Sequence, residues 1–407
     1  MGSTTESGVG GVHVAVVASL GVGHIKPLLE FSKRINSLRA ADTHVSFFFH
    51  DSHIVSPSSP PHDDTKIRLV KLPPIDQSTI LTDSIEARIS LTNQRSLPSL
   101  RASLLASRPS ALVVDLFATD TFDVARELDI PKYVYFTSNL WALALMLHSP
   151  QLDQDIQGEY VARSEPIRVP GFRSIRAVDL PEPMPDREGE GYKWYIHLCN
   201  RLKEADGILV NTFEGLDDSC SMSLSTEAPV FLVGPLVRSP SESRGHECLA
   251  WLDSQPVGSV LFVSFGSGGT LSREQMTELA LGLEMSGKGF LWVCRPPTRT
   301  GDSAGAFFGG VESDVHALKE KEGRVVKREE IAELVNVVFV REEGKVMREK
   351  AKEMSGRAVV AVGEGGTSYK SLLRVFEQWK IGSLNYDKIL RESPSHKKIY
   401  PTRHVSR

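Results

Sequence analysis

Along this chain, apolar and β-branched residues gather in short continuous runs rather than in strict alternation. His13-Val-Ala-Val-Val-Ala-Ser19 is the first, and it ends at a glycine turn. Runs of this kind predict strands buried on both faces of a parallel sheet. Others follow at Val45–Phe49, Ile67–Leu72, Ala111–Phe117, Tyr133–Phe136, Gly207–Asn211 and Val230–Val233. Between several of them the apolar period lengthens to that of a helix. Leu28, Phe31, Ile35 and Leu38 repeat at helical spacing, and Pro27 stands where a first helical residue tolerates proline. Alternating strand and helix predicts an α/β doubly wound sheet.

The pattern weakens over Pro235–His246, a Pro-, Ser-, Arg- and Gly-containing stretch that reads as a linker, and then restarts. Ser259-Val-Leu-Phe-Val-Ser-Phe-Gly-Ser267 predicts a further buried strand ending in a glycine-rich turn. Ser272-Arg-Glu-Gln275 has the form of a capping box, and Met276, Leu279, Ala280 and Leu283 share one face of the helix it opens. Gly287 is placed to stop that helix, and Gly289–Cys294 reads as the next strand. Two α/β halves facing each other enclose a cleft. Periodicity fails between Arg295 and Gly323, where Thr298–Gly310 is rich in glycine, and helical patterns return at Arg328–Phe339, Gly344–Met354 and Ser368–Trp379. The expected organisation is an N-terminal domain over 1–235, a linker over 236–247, a second and incomplete domain over 248–380, and a basic, disordered tail over 381–407.

The length of 407 residues suits two or three domains at roughly 150 residues each. A net charge of -4 gives no electrostatic reason to expect nucleic acid or an acidic membrane surface. The four cysteines, Cys199, Cys220, Cys248 and Cys294, form no CxxC pair and have no histidine at metal-ligand spacing, which argues for a reducing compartment. Met1–Gly11 lacks a signal-peptide pattern, and the longest apolar stretch, around Leu140–Leu147, is too short to span a bilayer. The expectation is a cytoplasmic monomer without a membrane partner.

Candidate chemistry lies at strand ends. Gly21-Val-Gly23-His24-Ile-Lys-Pro27 follows the first strand, but Lys26 stands where a dinucleotide fingerprint needs glycine. What remains is His24 at the carboxyl end of a buried strand, where open α/β sheets place ligands. An imidazole there either exchanges a proton near neutral pH or caps a helix. Asp115 closes another buried strand; it either accepts the imidazole N–H, as in a hydrolase triad, or bonds loop amides. Asp120 and Asp123 are rivals just beyond it. Phe265-Gly-Ser-Gly-Gly-Thr270 joins a strand to a helix start and either holds a phosphate against the helix dipole or makes a plain turn. Gly282-Leu-Glu-Met-Ser-Gly-Lys-Gly289 comes close to a P-loop but lacks the final hydroxyl and joins helix to strand, the wrong way round.

Taken together these residues resemble the plant family of UDP-sugar-dependent glycosyltransferases. Gly21, Gly23, His24 and Pro27 match its first motif; Val113–Val124 and Tyr135–Asn139 match further stretches. Trp251–Gly269 is very similar to the segment that opens the second domain in members acting on small phenolic acceptors. The resemblance runs from about His13 to Trp379. It implies a GT-B architecture, two Rossmann-like domains facing a cleft, with the acceptor on the first and the UDP-sugar, UDP-glucose, on the second. It implies His24 as base, Asp115 as its partner, and inverting transfer of a hexose to a phenolic hydroxyl. It implies donor contacts at Gly23, Thr137, Gly266 and Ser267, and an acceptor pocket near Glu86, Phe117 and Trp141. No metal or other cofactor is implied, since helix N-terminal amides stabilise the leaving diphosphate.

One block of the family pattern is missing. Family members carry, after the strand matched by Phe290–Val293, a tryptophan that stacks on uracil, a His-Cys-Gly-Trp-Asn-Ser stretch, a ribose-binding glutamate and an acidic-Gln pair. After Trp292 this chain has only Trp379 as tryptophan, only His316, His396 and His404 as histidines, and only Cys294 as cysteine. Gly309–Val315 leads almost directly to Lys327-Arg-Glu-Glu330, which resembles the family's region downstream. Each lost charged contact is worth roughly 1.5–3 kcal/mol, so their joint loss weakens donor binding by orders of magnitude. The alternative to a working enzyme is therefore a donor-incompetent pseudo-enzyme or acceptor-binding remnant of a truncated transcript. The same loss leaves the second domain short of sheet, with apolar surface exposed.

Overall fold

The structure, a computed structural model, describes residues 11–38, 43–50, 66–172, 174–216, 224, 226–237, 247–266, 271–294 and 325–392. In the first half, β1 (Val12–Val17) leads into helix α1 (Val22–Ser37), followed by β2 (Thr43–Phe49), β3 (Ile67–Lys71), α2 (Ile85–Ser107) and β4 (Ala111–Asp115). Then come α3 (Thr121–Glu127), β5 (Lys132–Phe136), α4 (Leu140–Asp155), α5 (Glu190–Leu202), β6 (Gly207–Val210) and β7 (Val230–Leu232). All seven strands pair in parallel in the order β3-β2-β1-β4-β5-β6-β7. The two-residue period sorts side chains onto two faces: Ala15, Val17, Leu112 and Val114 enter one core, and Val14, Val16, Ala111 and Val113 the other. Both faces are covered, which is why the strands read as continuous apolar runs.

The strand order reverses between β1 and β4, which pair directly with Val17 opposite Val114. A crevice opens at the carboxyl ends of strands at such a switch point. Gly21, at φ 105, turns the chain there from β1 into α1. The helix thus begins earlier than the sequence suggested, and Pro27 lies inside it rather than at its first position. His24 consequently sits on the first turn of α1.

The second half is smaller. Helix α6 (Glu247–Asp253) precedes β8 (Val260–Val263), α7 (Arg273–Met285) and β9 (Gly289–Trp292), and then α8 (Arg328–Val340), α9 (Glu342–Val362) and α10 (Thr367–Glu392) follow. Among the described residues its sheet has two parallel strands, β8 and β9. The Ser272 hydroxyl caps the Gln275 amide at 3.1 Å as expected. The reciprocal half of the capping box is replaced, because the Gln275 side chain pairs with both backbone groups of Val326. Gly282 lets α7 and α8 approach closely, since a Cβ there would lie 2.6 Å from that of Ile331.

Two expectations at the end of the chain need correction. The last helix continues to Glu392, so the stretch from 381 to 392 is helical and not a disordered tail. That helix also leaves the second unit: Leu372, Val375, Phe376 and Trp379 join the core cluster of the first domain. Their spacing puts them on one helical face, and Trp379 meets the Tyr133 ring edge-on with centroids 5.5 Å apart. Arg34 reaches the Val362 carbonyl, and the Ser368 hydroxyl donates to the Gly234 carbonyl at 2.7 Å. Cys220, most of the expected linker, the glycine-rich stretch 298–310 and the tail beyond 392 lie outside the described residues.

Candidate active site at the switch point

β1 and β4 bring together the two residues that sequence reasoning placed at their ends. His24 Nδ1 lies 2.8 Å from Asp115 Oδ1. The Asp115 carboxylate is fully buried, while the His24 side chain keeps 19% of its surface open. The other carboxylate oxygen accepts from the Phe117 amide at 3.1 Å, across a short 3-10 turn over Leu116–Ala118. Both sequence readings of Asp115, imidazole partner and loop-amide acceptor, are therefore true at once, one oxygen serving each.

Burial acts against the ionised form of either residue. For His24 burial pulls the pKa down, but the charge and hydrogen bond of Asp115 together outweigh it and hold the imidazole above its ordinary value. For Asp115 burial pushes the pKa up. The nearby His24, its hydrogen bond, the Ser19 hydroxyl and the Phe117 amide overcome that and hold the carboxyl below its ordinary range. An ionised Asp115 accepts the Nδ1 proton, which leaves Nε2 of the neutral ring with a free lone pair. Such an imidazole can take a proton from a hydroxyl and share the resulting charge with the carboxylate.

Phe117 packs edge-on against the His24 ring with centroids 5.2 Å apart. Thr137 is half-buried just past β5, where Asn139 caps α4 by accepting from the Ala142 amide. Gly23 is exposed on α1, and Gly266 takes φ 82 in open space after β8; Ser267 lies outside the described residues. Glu86 accepts from the Ser84 hydroxyl at 2.9 Å in the first turn of α2, and Trp141 packs against the first core near the start of α4. The structure thus joins His24, Asp115 and Phe117 in one contact cluster and sets Glu86 on α2 and Trp141 on α4, both of which pack on α5. The rivals are engaged elsewhere: Asp120 pairs with His197 at 2.7 Å, and Asp123 with Arg126 at 3.0 Å. Two cavities share Leu140 and Leu232: one of about 1000 Å³ is walled by the C-terminal half of α9, one of about 810 Å³ by the start of α10, and His24 lines neither.

Sequence reasoning missed Ser19 and Asn93. Asn93 is buried on α2, whose inward face also carries Ser90, Thr92 and Ser96. A polar stripe on a helix packed into an apolar domain was the available signal. Among the described residues no group of three or more His, Cys, Asp or Glu is placed to hold a metal ion, and no helix is long and apolar enough to cross a membrane.

A doubly wound parallel sheet with a His–Asp pair at its switch point is followed along the chain by a second, smaller α/β unit. No family model matches the chain. Individual proteins do. UDP-glycosyltransferase 72B3 of Arabidopsis thaliana is 36% identical over 468 aligned residues, covering 90% of this chain and 96% of the relative. Hydroquinone glucosyltransferase of Rauvolfia serpentina is 41% identical over 299 residues, covering 70% of this chain and 63% of the relative. Among solved structures, UGT2 of Phytolacca americana complexed with UDP-2-fluoro-glucose and pterostilbene superposes with a TM-score of 0.74 at 32% identity, over 90% of this chain and 99% of that one. The fold is GT-B, and the chain belongs to the plant UDP-glycosyltransferase family. The alignment to the Arabidopsis relative spans 468 residues, whereas 90% of 407 is about 366, so on the order of 100 aligned positions have no counterpart in this chain.

Proposed function

We propose that this chain transfers a hexose, glucose, from a UDP-sugar to the hydroxyl of a small phenolic acceptor, with inversion. His24 Nε2 takes the acceptor proton as the acceptor oxygen attacks the anomeric carbon. The bond from that carbon to the diphosphate breaks, and UDP leaves with its electrons. Asp115 stabilises the imidazolium that forms, which later returns its proton to solvent. The observation that carries this reading is the 2.8 Å contact between His24 Nδ1 and a fully buried Asp115 at the switch point. Hydroquinone and pterostilbene, named with the relatives, support the phenolic class, and the UDP-2-fluoro-glucose of the Phytolacca structure supports the donor. Phe117 beside His24, with Glu86 and Trp141 farther out, would face the acceptor; Gly23, Thr137, Gly266 and Ser267 would face the donor. The same reading takes the protein as a cytoplasmic monomer that uses no metal.

A second reading has its own observation. The missing tryptophan, histidine and His-Cys-Gly-Trp-Asn-Ser stretch after Trp292, with on the order of 100 unmatched aligned positions, leaves an acceptor site without most donor contacts. A transfer assay with UDP-glucose and simple phenols, read by mass, separates the two. Product that falls about 10²–10⁴-fold in His24→Ala supports transfer with His24 as base. Absence of product, together with no UDP-dependent rise in melting temperature, assigns the chain to the donor-incompetent reading.

A further inference from the structure

Close to the His24–Asp115 pair lies a side chain whose hydrogen bonds go to the groups around it. Asn93 on α2 is 2% exposed, and its amide nitrogen donates to the Ser19 hydroxyl oxygen at 2.9 Å and to the Phe117 carbonyl at 3.0 Å. The Phe117 carbonyl can only accept, so the Asn93 atom facing it must be the NH2 group. That group can only donate, so the Ser19 oxygen in contact with it must accept. The single Ser19 proton is then free to point elsewhere, and the Ser19 hydroxyl bonds the buried Asp115 carboxylate. The second Asn93 contact pins the Leu116–Ala118 turn, whose Phe117 amide holds the other Asp115 oxygen. Both supports of Asp115, other than His24 itself, thus pass through one amide group. His50, also buried and kept neutral by burial, packs beside Asn93.

We propose that Asn93 is a positioning residue: by donating to Ser19 and to Phe117 it fixes the direction of the Ser19 hydroxyl and the turn after β4, and so holds Asp115 in the orientation that keeps the His24 proton on Nδ1. This inference rests on the reading of His24 and Asp115 as base and partner. Its readout is the tautomer of a ring rather than turnover, so it stands apart from donor binding. Two cheaper roles for Asn93, volume filling and helix packing, would leave that tautomer alone.

The test uses the full chain with 15N-labelled histidine, reading the His24 imidazole nitrogens above its titration, with melting temperature recorded alongside. In the parent protein the neutral ring carries its proton on Nδ1. In Asp115→Asn the carboxylate acceptor is lost and the proton moves to Nε2. In Asn93→Leu, similar in shape but without donors, the expected result is loss of the single Nδ1–H pattern in favour of a mixed population. Asn93→Val, smaller than leucine and again without donors, is expected to do the same and serves if the leucine variant fails to fold. An Nδ1–H pattern kept in both Asn93 variants, while Asp115→Asn shifts it, overturns the proposal and leaves the base reading intact. A pattern unmoved even by Asp115→Asn overturns both.

Discussion

At the residue scale, burial is the first influence on the ionisable groups around β1. Asp115 stays charged because His24, Ser19 and a backbone amide surround it. His13, at the other end of β1, has the opposite fate. It stacks on His44 with centroids 4.2 Å apart, sits 2.9 Å from the Ser46 hydroxyl, and is lowered to about 4 by burial first and by neighbouring positive charge from His44 and Arg68 second. The unfolded chain titrates His13 near 6.5, so between that pH and about 4 the unfolded state binds more protons. Stability from a neutral His13 is therefore fully present above 6.5 and lost as pH falls toward 4, by at most about 3 kcal/mol. Urea melts at pH 7.5 and pH 5 should show a smaller pH-dependent loss in His13→Gln than in the parent; equal losses would mean His13 does not carry it. The places of His24 and Asp115 at the ends of apolar runs made their contact one of the legible alternatives, and the structure brings the two within 2.8 Å. Ser19 and Asn93 were not, because their partners lie 74 positions apart in sequence, and only the packing of α2 under β1 brings them together.

At the element scale, local rules foresaw the existence of helices and strands better than their uses. Pro27 looked like a helix start, yet Gly21 permits an earlier turn and the helix extends around the proline. Ser272 and Gln275 looked like a reciprocal cap, yet Gln275 finds better partners in the backbone of Val326. The largest departure is α10. Its apolar face was visible as spacing, and which core it enters was not. Trp379→Ala is expected to remove about 3–5 kcal/mol from the first domain, although the residue follows the whole second unit in sequence. Hydrogen exchange should then quicken in β5, where Tyr133 meets Trp379, and not merely in α10; fraying confined to α10 would contradict the assignment.

At the scale of the whole molecule the two units are unequal. The first has a covered seven-stranded sheet with a core on each face. Among the described residues, the second has two strands and a buried cluster of four residues, Leu279, Leu283, Ile331 and Val335. Phe262 is 65% exposed, and Phe265, Phe290 and Val293 are exposed too. So small a core resists local opening weakly. Limited proteolysis is expected to cut within 247–340 while the first domain, with α10 docked on it, survives as an associated core. Equal resistance of both units would count against this picture.

The sequence by itself determined the α/β class, the catalytic candidates at two strand ends and the family, because all of these are carried by local runs, short motifs and residue inventory. Only the tertiary structure decided that β1 and β4 are neighbours at the switch point, that Asp115 bonds imidazole and amide at once, that Asn93 bonds the groups around it, and that α10 completes the first core. Those are contacts between segments tens to hundreds of positions apart, and strand order and helix docking follow from how buried faces close on one another rather than from any pattern within a single segment.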